Sequence, residues 1–272
     1  MESSNRRVAI IGCGKMGEIL GSGLIGSGIR RPDEVVVTDA DRRRTEEVVR
    51  RYGFQSAEGN RAAVEQAGVV ILAVKPKDLS GVLAEIAPAV TEQSLIVSIA
   101  AGVTTGFLEQ GLGSAAAVVR AMPNVASQVG EGITAICAGR RAGEEHLGQA
   151  RSILEAVGPV LVIEEQYIDA VTAVSGSGPA YLALFAEAMI DAGVTVGLSR
   201  PVASQLVAQT LRGTAALVTE AGMHPAEVRQ AVTSPGGTTA MAVGELERAG
   251  VRAAVLNAVQ AALDRARALA GG

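Results

Sequence analysis

The sequence predicts an α/β protein in two parts, a doubly wound parallel sheet followed by an all-α segment. Short apolar runs alternate with helical patterns as far as about residue 164. A glycine-rich turn follows the first of these runs directly. Beyond residue 165 the strand-like runs stop and helical patterns take over, which separates a sheet domain from a helical one.

Residues 7–11 (Arg-Val-Ala-Ile-Ile) read as a buried strand, and a helical pattern runs from the glycine turn to about residue 27. Further strands are expected over 35–38, 69–74, 95–99 and 117–121, with helices over 42–51, 79–87 and 105–110. Apolar strands alternating with helices indicate a parallel sheet covered on both faces. Residues 133–138 and 160–163 extend that sheet, with a helix over 144–157 between them. The remainder reads as helices over 167–174, 179–192, 200–221, 225–232, 239–249 and 252–270. Several of these are apolar on more than one face and rich in Ala, Gly and Thr. That surface is expected to be buried against a second subunit. Gly271 and Gly272 are expected to fray.

With 272 residues the chain has room for one domain or two and for a substantial core. Hydrophobic residues make up 48%, yet Trp is absent and Tyr and Phe number three each. The core must therefore be Ala, Val, Leu and Ile, packed closely with the help of 33 glycines. A formal charge of −4 gives no reason to expect nucleic-acid binding. Cys13 and Cys137 suggest neither a disulfide framework nor a metal site, which fits a reducing compartment. No signal peptide is visible before the first strand. The apolar stretch 180–196 is broken by Glu187 and Asp191, so no membrane span is expected. The expectation is a soluble, cytoplasmic protein.

Gly12-Cys13-Gly14-Lys15-Met16-Gly17 is a full G-x-G-x-x-G between a strand and a helix, the context a dinucleotide site requires. Gly12 makes the tight turn, Gly14 lets a pyrophosphate approach the backbone, and Gly17 allows close helix–strand packing. Nothing after residue 40 resembles the added segments a flavin would need, which favours a nicotinamide dinucleotide. Asp39 follows the second strand, where an acidic residue bonds the ribose 2′-hydroxyl of NAD. Arg42, Arg43 and Arg44 come next and suit the 2′-phosphate of NADP or simply a solvated helix start. The choice between the two cofactors stays open on these residues.

Three loops follow strands at the carboxyl edge, where open α/β sheets bind ligands. They are Ala73-Val74-Lys75-Pro76, Ala100-Ala101-Gly102 and Met122-Pro123-Asn124. Lys75 could face a phosphate or the nicotinamide ribose, and the small residues 100–102 leave room for a flat ring. In the helical part, Ser175-Gly176-Ser177-Gly178-Pro179-Ala180-Tyr181 joins two helices. Its serines either cap the helix or line a site, and Pro179 suits a helix start. Ser234-Pro235-Gly236-Gly237-Thr238-Thr239 pairs a tight turn with a helix start, at which the threonine hydroxyls stand ready as caps. Exposed N–H groups there suit a small carboxylate.

The only lysines are Lys15, Lys75 and Lys77, and the only histidines are His146 and His224, both beside loop signals. Alcohol oxidation wants a Lys or His base near the hydroxyl, and the helical half offers none. The chemistry is therefore expected to suit a substrate that already carries its positive charge. A protonated imine accepts hydride with little acid–base help.

Taken together, these motifs resemble pyrroline-5-carboxylate reductases along nearly the whole chain. The resemblance is carried by the glycine fingerprint, residues 73–76, 100–102 and 122–124, the run 169–181, and Val232-Thr233-Ser234-Pro235-Gly236-Gly237-Thr238-Thr239. It implies a Rossmann-type dinucleotide-binding domain over 1–164 and a helical substrate-binding and dimerisation domain over 165–272. It also implies reduction of 1-pyrroline-5-carboxylate to L-proline with NADPH or NADH. Gly237, Thr238 and Thr239 would grip the substrate carboxylate, with Thr239 also reaching the ring nitrogen. Ser175 and Ser177 would line the same pocket, shared between subunits, with Thr239 and Ser175 as its catalytic residues and Ser234 and Gly236 among its substrate-binding ones. Assembly as a homodimer through the helical domain, and from there into larger rings, is implied as well.

Two other readings compete. A β-hydroxyacid dehydrogenase also joins a G-x-G-x-M-G domain to a helical one. Its catalytic lysine would fall where this chain has Tyr181-Leu182-Ala183-Leu184-Phe185. A non-catalytic dinucleotide sensor would have no need of a carboxylate-gripping turn.

Overall fold

The structure is a computed structural model that describes residues 7–113 and 116–270; Gly271 and Gly272 lie outside them. Its sheet is built from β1 (Val8–Ile11), β2 (Val35–Thr38), β3 (Gln55–Ser56), β4 (Val69–Leu72), β5 (Leu95–Ser98), β6 (Ala117–Met122), β7 (Thr134–Ala138) and β8 (Val160–Val162). The helices among them are α1 (Lys15–Gly26), α2 (Arg42–Tyr52), α3 (Asn60–Glu65), α4 (Pro76–Ile86), α5 (Thr105–Leu112) and α6 (Glu144–Leu154). Strand order is β3-β2-β1-β4-β5-β6-β7-β8.

The central strands read Val-Ala-Ile-Ile, Val-Val-Val-Thr, Val-Val-Ile-Leu and Leu-Ile-Val-Ser and are buried throughout. Alternation sends their side chains into two cores. Val8, Ile10, Val37, Ile71 and Val97 pack with Leu20 and Leu24 of α1, Val48 of α2 and Ile153 of α6. Ala9, Ile11, Val70, Leu72 and Ile96 pack with Val64 of α3, Leu83 of α4 and Leu108 of α5. Each fully buried Val, Leu or Ile contributes about 1.5–3 kcal/mol, so the sheet is the rigid base of the molecule.

The structure departs from the expected sheet in three ways. β7 runs antiparallel to β6 while β8 is parallel to β7, so the sheet is mixed. Between Met122 and Thr134 there is only a short 3-10 turn, Val125–Val129, too little chain for a helical crossover. β3 and α3 were not anticipated. β3 is two exposed polar residues, with no apolar run to mark it. The strand expected over 69–74 stops at Leu72, and α4 begins earlier than expected, because Pro76 fixes φ at its first position.

Two compact units partition the chain. One holds the residues up to Ser177 together with the end of the last helix from Ala262, and the other is Gly178–Ala261. At the end of the first unit, α7 (Ile168–Val171) passes into a π-helical turn, Thr172–Gly176, where a single helix was expected. α7 is tied to the sheet through a buried arginine. Arg120 of β6, with 3% of its side chain exposed, meets Asp169 at 2.9 Å and Glu165 at 3.5 Å. Glu165 also accepts the Thr105 N–H at 2.7 Å and the Thr105 hydroxyl at 2.6 Å, closing the start of α5.

The second unit contains α8 (Gly178–Thr195), α9 (Arg200–Thr219), α10 (Pro225–Ala231), α11 (Thr238–Arg248) and most of α12 (Val251–Ala270). α8 and α9 form a hairpin in which Gly193 lies so near Ala203 that an added Cβ would stand 3.1 Å from the alanine methyl. No residue of α8 is buried in the single chain. Leu182 is 63% exposed, Leu184 67%, Leu206 54% and Met241 63%. Among the described residues no helix is long and apolar enough to cross a membrane.

Removing one partner of a buried ion pair strands the other charge. Asp169→Ala is expected to destabilise the protein by about 3 kcal/mol, read as a lower urea midpoint.

Candidate active site

Strand order reverses between β1 and β4, and open α/β sheets bind ligands at the carboxyl ends of such a pair. The glycine turn sits there. Gly12 has φ +103°, and a Cβ on it would stand 2.8 Å from the Ala73 carbonyl. Its N–H bonds the Thr38 carbonyl at 2.8 Å. A Cβ on Gly17 would overlap the Gly12 carbonyl oxygen, so α1 reaches the turn only because position 17 is bare. Gly14 differs: nothing lies within 4 Å of its added Cβ. It is the N-cap of α1, with φ −64°, and brings no side-chain oxygen to the first N–H groups. Those donors, reinforced by the helix dipole, suit a pyrophosphate.

A cleft of about 1000 Å³ opens in front of this turn. Gly12, Gly14, Asp39, Arg42, Ala73, Val74 and Lys75 line it, so seven of the anticipated cofactor residues share one hollow. Cys13, Met16 and Gly17 support it from beneath without lining it. Lys15 opens α1 and is exposed. Arg43 points to Asp41 at 3.4 Å, and Pro76 opens α4. Ala100, Ala101 and Gly102 follow β5 on the same sheet edge but outside the cleft lining. The Cys13 thiol is buried and pushed up to about 12 by that burial, so it stays protonated at neutral pH and is a poor nucleophile.

Asn60 lines the cleft and was not anticipated. Its side-chain oxygen accepts the Thr38 hydroxyl at 2.7 Å, and its amide donates to Glu85 at 2.7 Å. The residue opens α3, and an Asn at a helix start reads in sequence as ordinary end chemistry. Only the return of β3 beside β2 brings it to the cleft.

Asn124 and Ser175 meet at the carboxyl edge of β6. The Asn124 amide donates to the Ser175 hydroxyl at 3.2 Å and to its carbonyl at 3.4 Å. That carbonyl cannot take the usual helical N–H four residues on, because position 179 is proline. A hydroxyl that accepts from Asn124 keeps its own proton to donate elsewhere. The Asn124 side-chain oxygen is buried without a partner. Ser177 closes the π-helical turn, its N–H bonding the Thr172 carbonyl at 2.9 Å. Such turns concentrate at functional sites.

Ser234, Gly236, Gly237, Thr238 and Thr239 belong to the helical unit. Gly236 has φ +70°, and the Gly237 N–H bonds the Ser234 carbonyl at 3.0 Å. A Cβ on Gly237 would overlap the Ser234 hydroxyl. The helix begins at Thr238 with Gly237 as its N-cap, so neither threonine is the cap that the sequence suggested. Glycine at the cap leaves the first N–H groups of α11 without a side-chain oxygen from that position. Three other helices are closed by their caps: Asp41, Thr104 and His224 each accept a first-turn N–H.

A sheet with a bare helix start at its switch point, joined to an apolar helical segment, fits the class of two-part dinucleotide-dependent oxidoreductases. Comparison with known proteins agrees. Residues 165–269 match the family described as pyrroline-5-carboxylate reductase dimerisation, and residues 7–102 match NADP oxidoreductase, coenzyme F420-dependent. A pyrroline-5-carboxylate reductase of Corynebacterium melassecola is 42% identical, over 96% of this chain and 98% of its own. The solved structure of a pyrroline-5-carboxylate reductase from Coxiella burnetii superposes with a TM-score of 0.91 at 36% identity, covering 98% of both chains. A Plasmodium falciparum pyrroline carboxylate reductase, solved with NADP bound, gives 0.88 at 31% identity over 98% of this chain and 99% of its own. The chain belongs to the pyrroline-5-carboxylate reductase family of NAD(P)H-dependent oxidoreductases.

The second and third glycines of the turn carry different burdens. Gly14→Ala is expected to fold with a melting temperature close to the parent, while its dinucleotide Kd rises by about tenfold or more. Gly17→Ala should lower the melting temperature markedly, because its methyl has nowhere to go. Thermal melts and fluorescence titration with NADPH separate the two effects.

Proposed function

We propose that this protein reduces 1-pyrroline-5-carboxylate to L-proline, with NADPH as its main reductant and NADH as a second. One observation carries the reading: α1 and α11 start at glycine caps with no side-chain oxygen and lie on the two glycine motifs, whereas α3 and α6 start likewise at Gly59 and Gly143 outside them. The two on the motifs therefore keep N–H donors for an anion. The start of α1 suits the pyrophosphate that every nicotinamide dinucleotide carries. The start of α11 suits a small carboxylate. A cyclic imino acid and a dinucleotide are the pair of anions that a reductase of this family brings together.

Bound in the cleft, the reduced nicotinamide supplies the hydride that an iminium carbon accepts. The chain's own residues bind and orient. Thr238 and Thr239 hold the substrate carboxylate through their N–H groups, since the Gly237 N–H is taken by the Ser234 carbonyl within the turn. Thr239 adds a hydroxyl for the ring nitrogen. Ser175, kept in donor orientation by Asn124, and Ser177 offer further polar groups to the substrate. Because the iminium nitrogen already carries its proton, the site needs no strong acid, in keeping with a helical segment without lysine. The exposed leucines of α8 and α9 suit burial in a homodimer, with rings of dimers as the larger assembly. The cytoplasm is its proposed location.

Purified protein is to be assayed with the cyclic imine and each reduced dinucleotide in parallel. Turnover is expected with both, with the higher kcat/KM for NADPH. Oxidation of neither would refute the reading. Thr239→Ala is expected to lower kcat/KM by about tenfold to a hundredfold, since a hydrogen bond to a charged group is worth roughly 1.5–3 kcal/mol. An unchanged value removes Thr239 from the reaction.

A further inference from the structure

The peptide of Cys13, the second residue of the glycine turn, is clasped from both sides by the segment after β2. Asp39 Oδ2 accepts its N–H at 2.7 Å, and Arg44 Nε donates to its carbonyl at 2.8 Å. Asp39 Oδ1 meanwhile accepts the Asp41 N–H at 2.8 Å. Both oxygens of the carboxylate thus face backbone donors.

Arg44 is engaged along its whole guanidinium. One terminal nitrogen donates to Glu47 at 2.7 Å and the other bonds Glu18. Glu18 is itself held by Arg51 at 2.7 Å and by the Tyr52 hydroxyl at 2.9 Å. Burial works to raise the Glu18 pKa, but Tyr52, Arg44 and Arg51 together hold it below the usual carboxylate range. The Arg44 side chain is 28% exposed, against 92% for Arg42 and 91% for Arg43. With its donors committed in a fixed planar fork, Arg44 has little left for a phosphate. Arg43 does not line the cleft. Arg42 does, and its partner Glu46 at 3.3 Å is 66% exposed. Exposed pairs of that kind are worth little and are readily exchanged.

We infer that Asp39 and Arg44 are positioning residues that shape the dinucleotide turn for NADPH and NADH alike, and that discrimination between the two falls to Arg42. The inference rests on the reading of the cleft as a nicotinamide dinucleotide site. Its logic is that the two dinucleotides share the pyrophosphate and differ only at the adenosine ribose. Groups that hold the Cys13 peptide act on the shared part. A cation on the cleft wall, held by the exposed pair with Glu46, acts on the part that differs. This departs from the usual expectation that the acid after the second strand selects NAD.

The test compares the intact parent with Asp39→Asn, Arg44→Met and Arg42→Ala. Kd values for NADPH and NADH are read by nicotinamide fluorescence. Amide hydrogen exchange over residues 12–17 is followed without ligand. Asp39→Asn and Arg44→Met are expected to raise both Kd values by a common factor of about tenfold, leaving their ratio within about twofold. Both should also speed exchange over 12–17. Arg42→Ala is expected to shift the ratio against NADPH by about tenfold. If Asp39→Asn weakens NADH while tightening NADPH, Asp39 reads the ribose and the inference is wrong. Unaltered exchange in Arg44→Met would overturn the clasp even if Asp39→Asn failed to fold. A parent protein that binds neither dinucleotide would overturn the cleft assignment itself.

Discussion

Close backbone approach at the β1 turn is the constraint on which the dinucleotide-binding half depends. Gly12 lies against the Ala73 carbonyl and Gly17 against the Gly12 carbonyl. Side chains at either place would force β1, β4 and α1 apart. With both bare, the start of α1 is pressed to the carboxyl edge of the sheet, and its unsatisfied N–H groups open on the cleft. The two apolar cores behind this contact hold it in place. At α11 too the N-cap is a glycine, Gly237, and brings no side-chain oxygen. A helix that gives up a capping oxygen forgoes roughly 0.5–2 kcal/mol. What remains is a set of backbone N–H donors, the kind that meets an anion without a lysine.

Charge is distributed to match. At the β2–α2 end of the cleft, carboxylates and arginines pair mostly with one another, and Glu18 knits α1 to α2 through Arg44, Arg51 and Tyr52. The helical unit carries a different load. Its long helices leave leucines, valines and Met241 largely bare in the single chain, while Ala203 and Val207 are among the few buried side chains. An apolar surface of that extent is a binding face, and the match of residues 165–269 to a dimerisation family accords with it.

Much of this was legible in the sequence, for physical reasons that also mark where legibility ended. Buried parallel strands are continuous apolar runs, so β1, β2, β4 and β5 were placed to within a residue or two at each end. The glycine pattern names its own geometry, because only positions without a Cβ tolerate such contacts. Strand direction is another matter. Thr134–Ala138 reads the same in either sense, and only the shortness of the chain before it makes β7 antiparallel. β3 is too short and too polar to register, and with it went Asn60. The N-cap of α11 was misplaced by one or two residues, since a threonine is the better capper in isolation. In the structure Gly237 holds that position.

The central claim is that bare helix starts, rather than charged side chains, hold both reactants. Amide hydrogen exchange with each ligand added separately tests it most directly. The account predicts that NADPH slows exchange at the start of α1, and that L-proline, which presents the same carboxylate as the substrate, slows it at Thr238 and Thr239. Proline that leaves those two amides untouched while protecting another segment would contradict it.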